Sequence, residues 1–179
     1  ENIDSETTYN VSLAYQLNAH WRLSGTTGTA FKVPTFNDLY WPNSGNPELL
    51  SETSTSYDVT LNYSRNSVSA YISVFKNDID NLIAWAPTGE KDDFGWDIWK
   101  PANINEAKIQ GVELSANFSL FSLDHQLAYT YLDAENKQTG EELIGRSENE
   151  FNYQLSYGWD QVDLLANYHY QGKRYAGSN

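Results

Sequence analysis

Tyr9-Asn10-Val11-Ser12-Leu13-Ala14-Tyr15-Gln16-Leu17 decides the fold. Every odd position is apolar or aromatic, and every even position is small or polar. A period of two is the signature of a strand with one apolar and one polar face. On a helix the same residues would scatter round the whole surface. The pattern repeats along the chain. Tyr57, Val59, Leu61 and Tyr63 alternate with Asp58, Thr60 and Asn62. Val112, Leu114, Ala116 and Phe118 alternate with Glu113, Ser115 and Asn117. Leu127, Tyr129 and Tyr131 follow the same rule, as do Phe151–Trp159 and Val162–Tyr170. Two segments are less regular. Trp21–Val33 has Gly and Thr at its middle, and Val68–Ile83 carries Tyr71 and Phe75 opposite Val68, Ala70, Ile72 and Val74. The chain reads as eight strands, at 7–17, 21–33, 52–63, 68–83, 104–118, 123–134, 147–159 and 162–175.

The connections carry a second signal. Asn18–His20, Ser64–Ser67, Ser119–Ser122 and Asp160–Gln161 are short, whereas Pro34–Ser51, Ala84–Asn103 and Glu135–Arg146 are long. Short and long alternate strictly. An up-and-down barrel in an outer membrane places short turns at one end and long loops at the other, and a soluble sandwich has no reason to do so. Tyr15, Trp21, Tyr63, Phe118, Phe121, Tyr157 and Trp159 all lie near the short turns. Aromatics gathered there suit a membrane–water girdle, because Tyr and Trp pair an apolar body with a polar tip, and plugging the open end of a sandwich is the competing role. The fold expected is all-β, an antiparallel up-and-down transmembrane β-barrel.

Composition excludes other classes. The 179 residues contain no Cys, so no disulfide, thiolate-bound zinc or thiol nucleophile is expected. A net charge of −13 argues against a nucleic-acid partner. The mean hydropathy of −0.62 excludes membrane helices. It does not exclude a barrel, whose strands show lipid only every second side chain. The chain opens without Met or a signal-like segment and closes on Gly177-Ser178-Asn179, so the expectation is either that a signal was removed or that this is a piece of something longer.

Several motifs, in order, resemble those of TonB-dependent outer-membrane receptors. They are Gly28-Thr29-Ala30-Phe31-Lys32-Val33-Pro34-Thr35-Phe36-Asn37-Asp38-Leu39-Tyr40, then Gly45-Asn46-Pro47-Glu48-Leu49, then Glu52–Tyr57. Phe75–Ile83, Ile109–Glu113 and Tyr170–Tyr175 follow. Family members usually carry Lys-Pro-Glu where Leu50-Ser51-Glu52 stands here. The pattern is most similar to the vitamin B12 (cobalamin) receptor branch, with ferric-siderophore receptors as the competitor. The resemblance implies a barrel of about 22 strands, of which residues 1–179 supply about eight. It also implies a separate N-terminal plug that meets TonB, a bacterial outer-membrane location, and contact with the lipid bilayer and lipopolysaccharide. Its function would be TonB-energised uptake of a scarce ligand, cobalamin or a ferric siderophore.

Candidate site residues sit in the long connections. Tyr40, Trp41, Asn43 and Asn46 occupy one, and Trp85, Trp96 and Trp99 another. Aromatics with amides suit a large, flat, partly apolar ligand; loop-on-loop packing and lipopolysaccharide contact are the competing roles. Glu90, Asp92, Asp93 and Asp97 form an acidic loop that is a candidate for calcium or simply solvated, and their spacing is not that of an EF-hand. Receptors of the vitamin B12 type use loop calcium, so the resemblance adds that ion as a candidate; no other cofactor is expected. His20, His125 and His169 are scattered and no catalytic motif is present, so no enzyme is expected. Gly111 is read as a bulge or a close approach to the plug. Glu113 should face the lumen, either solvated or paired with Lys108, Arg174 or a plug arginine. Two other architectures remain open at this level. One is a self-contained eight-stranded structural or adhesive barrel, and the other is a soluble carbohydrate-binding sandwich.

Overall fold

A computed structural model describes residues 6–174; Tyr175 of the last motif and both chain ends lie outside them. The alternating segments form β1 (Asn10–Gln16), β2 (Trp21–Lys32), β3 (Glu52–Arg65), β4 (Val68–Lys91), β5 (Asp97–Leu120), β6 (Leu123–Asn136), β7 (Asn149–Trp159) and β8 (Val162–Gln171). One short helix, α1 (Phe36–Tyr40), interrupts the β2–β3 connection. Each strand pairs antiparallel with the next in a single sheet ordered β1 to β8. Among the described residues no ladder joins β8 to β1, so the sheet is open with two edges. That removes the self-contained eight-stranded barrel.

Register sorts the side chains. Trp21 pairs with Tyr63, Tyr63 with Ala70, Ala70 with Ala116 and Ala116 with Leu127. The alternating Tyr, Val, Leu and Ile residues therefore share one face across all the strands. That face is exposed: Leu13, Val59, Val74, Leu114 and Leu164 all stand open. A continuous apolar face of this extent is costly in water and needs lipid or a partner. A second apolar layer, which a soluble sandwich requires, is not formed among the described residues. The other face is polar. Ser12 bonds Thr26 at 3.2 Å, and the Thr60 and Ser73 hydroxyls lie 2.8 Å apart.

Four tight turns close one end, at 17–20, 66–67, 121–122 and 160–161. Asn66, Phe121, Ser122 and Asp160 take positive φ there, as hairpin turns that match strand twist demand. At the 17–20 turn the Asn18 side chain instead accepts hydrogen bonds from the His20 and Trp21 amides. The expected aromatics gather at this end, with Trp21 on Tyr63 at 4.8 Å and Phe118 stacked on His125 at 4.8 Å.

One expectation fails at the opposite end. Ala84–Asn103 is not a loop, because β4 runs on to Lys91 and β5 starts at Asp97. Trp85 faces Pro101 and Pro87 faces Trp99 across this two-stranded ribbon. Prolines argue against a strand in a sheet interior, but not here. Pairing of β3 with β4 ends at Asp80, and β6 pairs β5 no farther than Ala107. The ribbon therefore has no neighbour whose ladder a missing N–H would break.

The small buried core lies at the same end. Ile79, Leu82, Ala107 and Ala134 pack with Leu143, which the β6–β7 connection lays back onto the sheet. Leu143 donates its amide to the Ala134 carbonyl at 2.8 Å, and the Leu132 amide reaches the Glu148 carbonyl. This long connection is therefore welded to the free edge of β6.

Candidate ligand-binding surface

The β2–β3 connection and the β4–β5 ribbon are built into one body. Thr35 caps α1 reciprocally. Its hydroxyl accepts from the Asp38 amide at 3.2 Å, and the Asp38 carboxylate accepts from the Thr35 amide at 2.9 Å and hydroxyl at 2.6 Å. The Thr35 hydroxyl, the Thr35 amide and the nearby Lys32 charge hold the Asp38 carboxyl below its ordinary value, against a desolvation that raises it. After α1 the chain turns tightly. The Trp41 carbonyl accepts from the Ser44 and Gly45 amides, and Asn43 sits at φ 65.

Asn46 then crosses to the ribbon. Its side-chain nitrogen donates to the Pro101 carbonyl at 3.0 Å, and its side-chain oxygen accepts from the Glu48 amide at 3.0 Å. Asn103 makes the second bridge. It accepts from the Leu50 amide at 2.8 Å and donates to the Leu50 carbonyl at 3.0 Å and the Asn81 carbonyl at 2.7 Å. Glu52 adds a third, accepting from the Ile83 amide at 2.8 Å and from Lys32 at 3.2 Å. Between the two segments lies a cleft of about 360 Å³, lined by Asn46, Glu48, Pro87, Thr88 and Lys100 among others.

The expected site residues divide accordingly. Trp85, 51% exposed, and the less exposed Trp99 stand along the ribbon, and Trp96, 74% exposed, sits at its tip beside Phe94. Tyr40 packs on Phe36 at 5.1 Å, and Trp41 is open. Asn43 and Asn46 serve the backbone, one through its positive φ and the other through its two bonds. Asn103 is the residue that the sequence reading missed. An asparagine opening an alternating run carries no mark of bridging two segments.

Two of the four acidic residues are already partnered. The Asp92 carboxylate is spent on the Phe94 and Trp96 amides, both at 2.9 Å, and Asp97 pairs with Lys91 at 3.4 Å. Among the described residues no three His, Cys, Asp or Glu side chains gather as a metal group. The histidines are likewise apart. His125 lies 2.8 Å from the Tyr153 hydroxyl on the apolar face, and His169 lies 2.6 Å from Asn152 on the polar face. Gly111 marks no bulge, since pairing runs unbroken through Phe75 and Gly111. The close approach there comes from the Tyr131 carbonyl and the Phe75 ring. Lys108 pairs with Glu135 rather than Glu113, because the even positions of β5 here lie on the opposite face. Glu113 sits on the polar face between Ser73 and Thr130.

The family model described as "TonB dependent receptor-like, beta-barrel" matches residues 1–179. The chain belongs to the TonB-dependent receptor β-barrel family. Among relatives, the vitamin B12 transporter BtuB of Photobacterium profundum is 40% identical over 168 residues, 94% of this chain and 27% of that protein. BtuB of Vibrio vulnificus is 37% identical over 167 residues, 93% of this chain and 26% of that protein. The chain thus spans about a quarter of the length of these curated relatives. The copper transporter OprC matches in fold with a TM-score of 0.76 at 18% identity, over 89% of this chain and 25% of its own. A ferric enterobactin receptor mutant from Pseudomonas aeruginosa matches with a TM-score of 0.75 at 24% identity, over 94% of this chain and 28% of its own. Membership in this receptor-barrel family accounts for the two open edges and the exposed apolar face. It is a family of receptors and transporters.

Proposed function

We propose that this chain is a wall segment of a bacterial outer-membrane receptor that takes up cobalamin with energy supplied through TonB. The apolar face meets lipid, the polar face lines the lumen, and the tight turns lie at the periplasmic end. The 40% identity to a vitamin B12 transporter carries the choice of ligand. The likeness to ferric enterobactin receptors is one of fold, so a ferric siderophore is the second reading.

The geometry supports a large ligand. The braced pair of segments carries Trp85, Trp99, Tyr40 and Trp41, and the cleft between the segments adds Glu48, Thr88 and Lys100 as polar groups. A corrin-sized molecule offers apolar edges for such rings and amides for the polar groups. TonB would act through a plug domain, and lipopolysaccharide would surround the outer end.

Binding by the purified full-length receptor in detergent tests this. Saturable binding of cyanocobalamin, with none of ferric enterobactin, is expected. The reverse result would overturn the choice of ligand. Binding of neither would overturn the receptor reading for these two ligand classes.

A further inference from the structure

The apolar face carries one wide depression. Register sets Trp21, Tyr63, Ala70, Ala116 and Leu127 in a single row across five strands. The two alanines form a low floor. Trp21 and Tyr63 wall one side, Leu127, Tyr129 and Phe151 wall the other, and Ile72 and Leu114 rise beyond the floor, away from the turns. The result is a trough of about 540 Å³ with an almost wholly apolar lining. All its walls come from β2 to β7, so neither edge strand shapes it.

The rim on the tight-turn side is different in chemistry. Arg65 lies two residues past Tyr63 on the same strand, and therefore on the same face. It is exposed and makes no ion pair among the described residues. The His20 ring lies 6.3 Å from that of Tyr63. An unpaired cation thus sits roughly 7 Å along the strand from the mouth of an apolar trough. The amphipathic Tyr63 and Trp21 stand between the two.

We propose that this trough and Arg65 bind one glycerophospholipid of the periplasmic leaflet. An acyl chain lies over Ala70 and Ala116, the ester region meets the Tyr63 and Trp21 tips, and the phosphate is taken by Arg65. The proposal rests on the membrane-spanning reading given above. The occupant follows from two features. The trough is continuous with the lipid-facing surface, and its single unpaired cation stands at headgroup depth. An apolar partner protein would leave Arg65 unanswered, and a soluble phosphate compound would leave the alanine floor empty.

The test uses the full-length receptor in vesicles doped with acyl-brominated phosphatidylglycerol. Comparing W21F and W159F variants with the parent isolates the quenching of each tryptophan. Trp159 is exposed on the same face at the same end and reports bulk lipid. Trp21 should quench at about a tenfold lower fraction of brominated lipid than Trp159. A70L/A116L, which fills the floor, should bring Trp21 back to the bulk response. A116V, a smaller change, should move it part of the way and guards against a folding defect in the double variant. R65Q should weaken the preference several-fold, and millimolar inorganic phosphate should not compete. Equal quenching of Trp21 and Trp159, unchanged in the variants, would overturn the site while leaving the barrel intact. Displacement by inorganic phosphate would also overturn it. No quenching of either tryptophan would instead refute the membrane-spanning reading, and this proposal with it.

Discussion

Asn103 should control the docking of the outer segments onto one another. Replacing it with Ala removes three hydrogen bonds, two to the Leu50 backbone and one to the Asn81 carbonyl. A protein hydrogen bond contributes a net ~1 kcal/mol, and less where water can replace the partner. The Asn81 bond is partly buried and the Leu50 pair is exposed, so N103A should cost the docking of this segment about 2 kcal/mol. That corresponds to roughly a 30-fold rise in local opening, since about 1.4 kcal/mol is a factor of ten. Hydrogen exchange on the full-length receptor reads this directly. The Leu50 amide should exchange about 30-fold faster, while amides at the centre of β6 stay unchanged. Asn117 is the control. It makes one exposed bond, to Ser69 at 3.4 Å, so N117A should leave exchange at Leu50 alone. If N103A left Leu50 protected, the bracing of the loop by this side chain would be refuted. Lost protection with unaltered cobalamin affinity would separate loop docking from ligand recognition.

Three further outcomes follow from the same structure. In G111A the new Cβ would lie 2.2 Å from the Tyr131 carbonyl oxygen and 2.8 Å from the Phe75 ring. The carbonyl belongs to the β5–β6 ladder and cannot yield. Denaturant unfolding should therefore show a loss of about 3 kcal/mol that F75A does not rescue, whereas G25A, with its nearest neighbour at 3.6 Å, should be neutral or slightly stabilising. Because the folded-state Asp38 carboxyl is held below its ordinary value of 3.8, the α1 cap is fully present above that pH and is lost as pH falls through the lowered value. An acid titration followed by Trp41 fluorescence should show that midpoint, and T35A should move it up toward 3.8 and cost the helix about 1 kcal/mol. In equilibrium binding W85A should weaken cobalamin by about tenfold or more, whereas D92A removes the acceptor of the Phe94 and Trp96 amides and should speed hydrogen exchange at the ribbon tip.

The parts legible in the sequence are those governed by period two. Tyr9–Leu17 and Phe151–Trp159 follow strand geometry because their alternation leaves one solution, and the register then aligned the apolar positions across the sheet. The ribbon at Ala84–Asn103 was hidden for a physical reason. Pro87, Pro101 and the glycines at 89 and 95 are turn-formers, and only the absence of neighbouring ladders makes the prolines harmless. Gly111 and Asn103 were opaque because each acts on a partner distant in sequence, at Phe75 and Tyr131 in one case and at Leu50 and Asn81 in the other.

The aromatics can now be divided by depth. On the lipid-facing side the character changes abruptly. Val74, Val112 and Tyr131 form one register row, and the next consists of Lys76, Gln110 and Asp133. Beyond it Lys76 meets Asp78 at 2.6 Å, Lys137 meets Asp78 at 2.9 Å, and Lys108 meets Glu135 at 2.5 Å. Charges on this face are costly at the centre of a bilayer and fall toward no cost at its edge, so on the membrane-spanning proposal this step marks the outer edge of the hydrocarbon over β4–β6. From Asp80 to Lys91 the ribbon then continues outward, at about 3.3 Å per residue, for on the order of 30 Å. Trp96 and Phe94 therefore stand well clear of the headgroups, and a girdle role cannot explain them. Trp21, Tyr63, Phe118 and Trp159 lie at the opposite limit of the same apolar band, where the membrane-spanning proposal gives them a girdle role. The same residue types thus do two jobs, and the charged row between them is what tells the jobs apart.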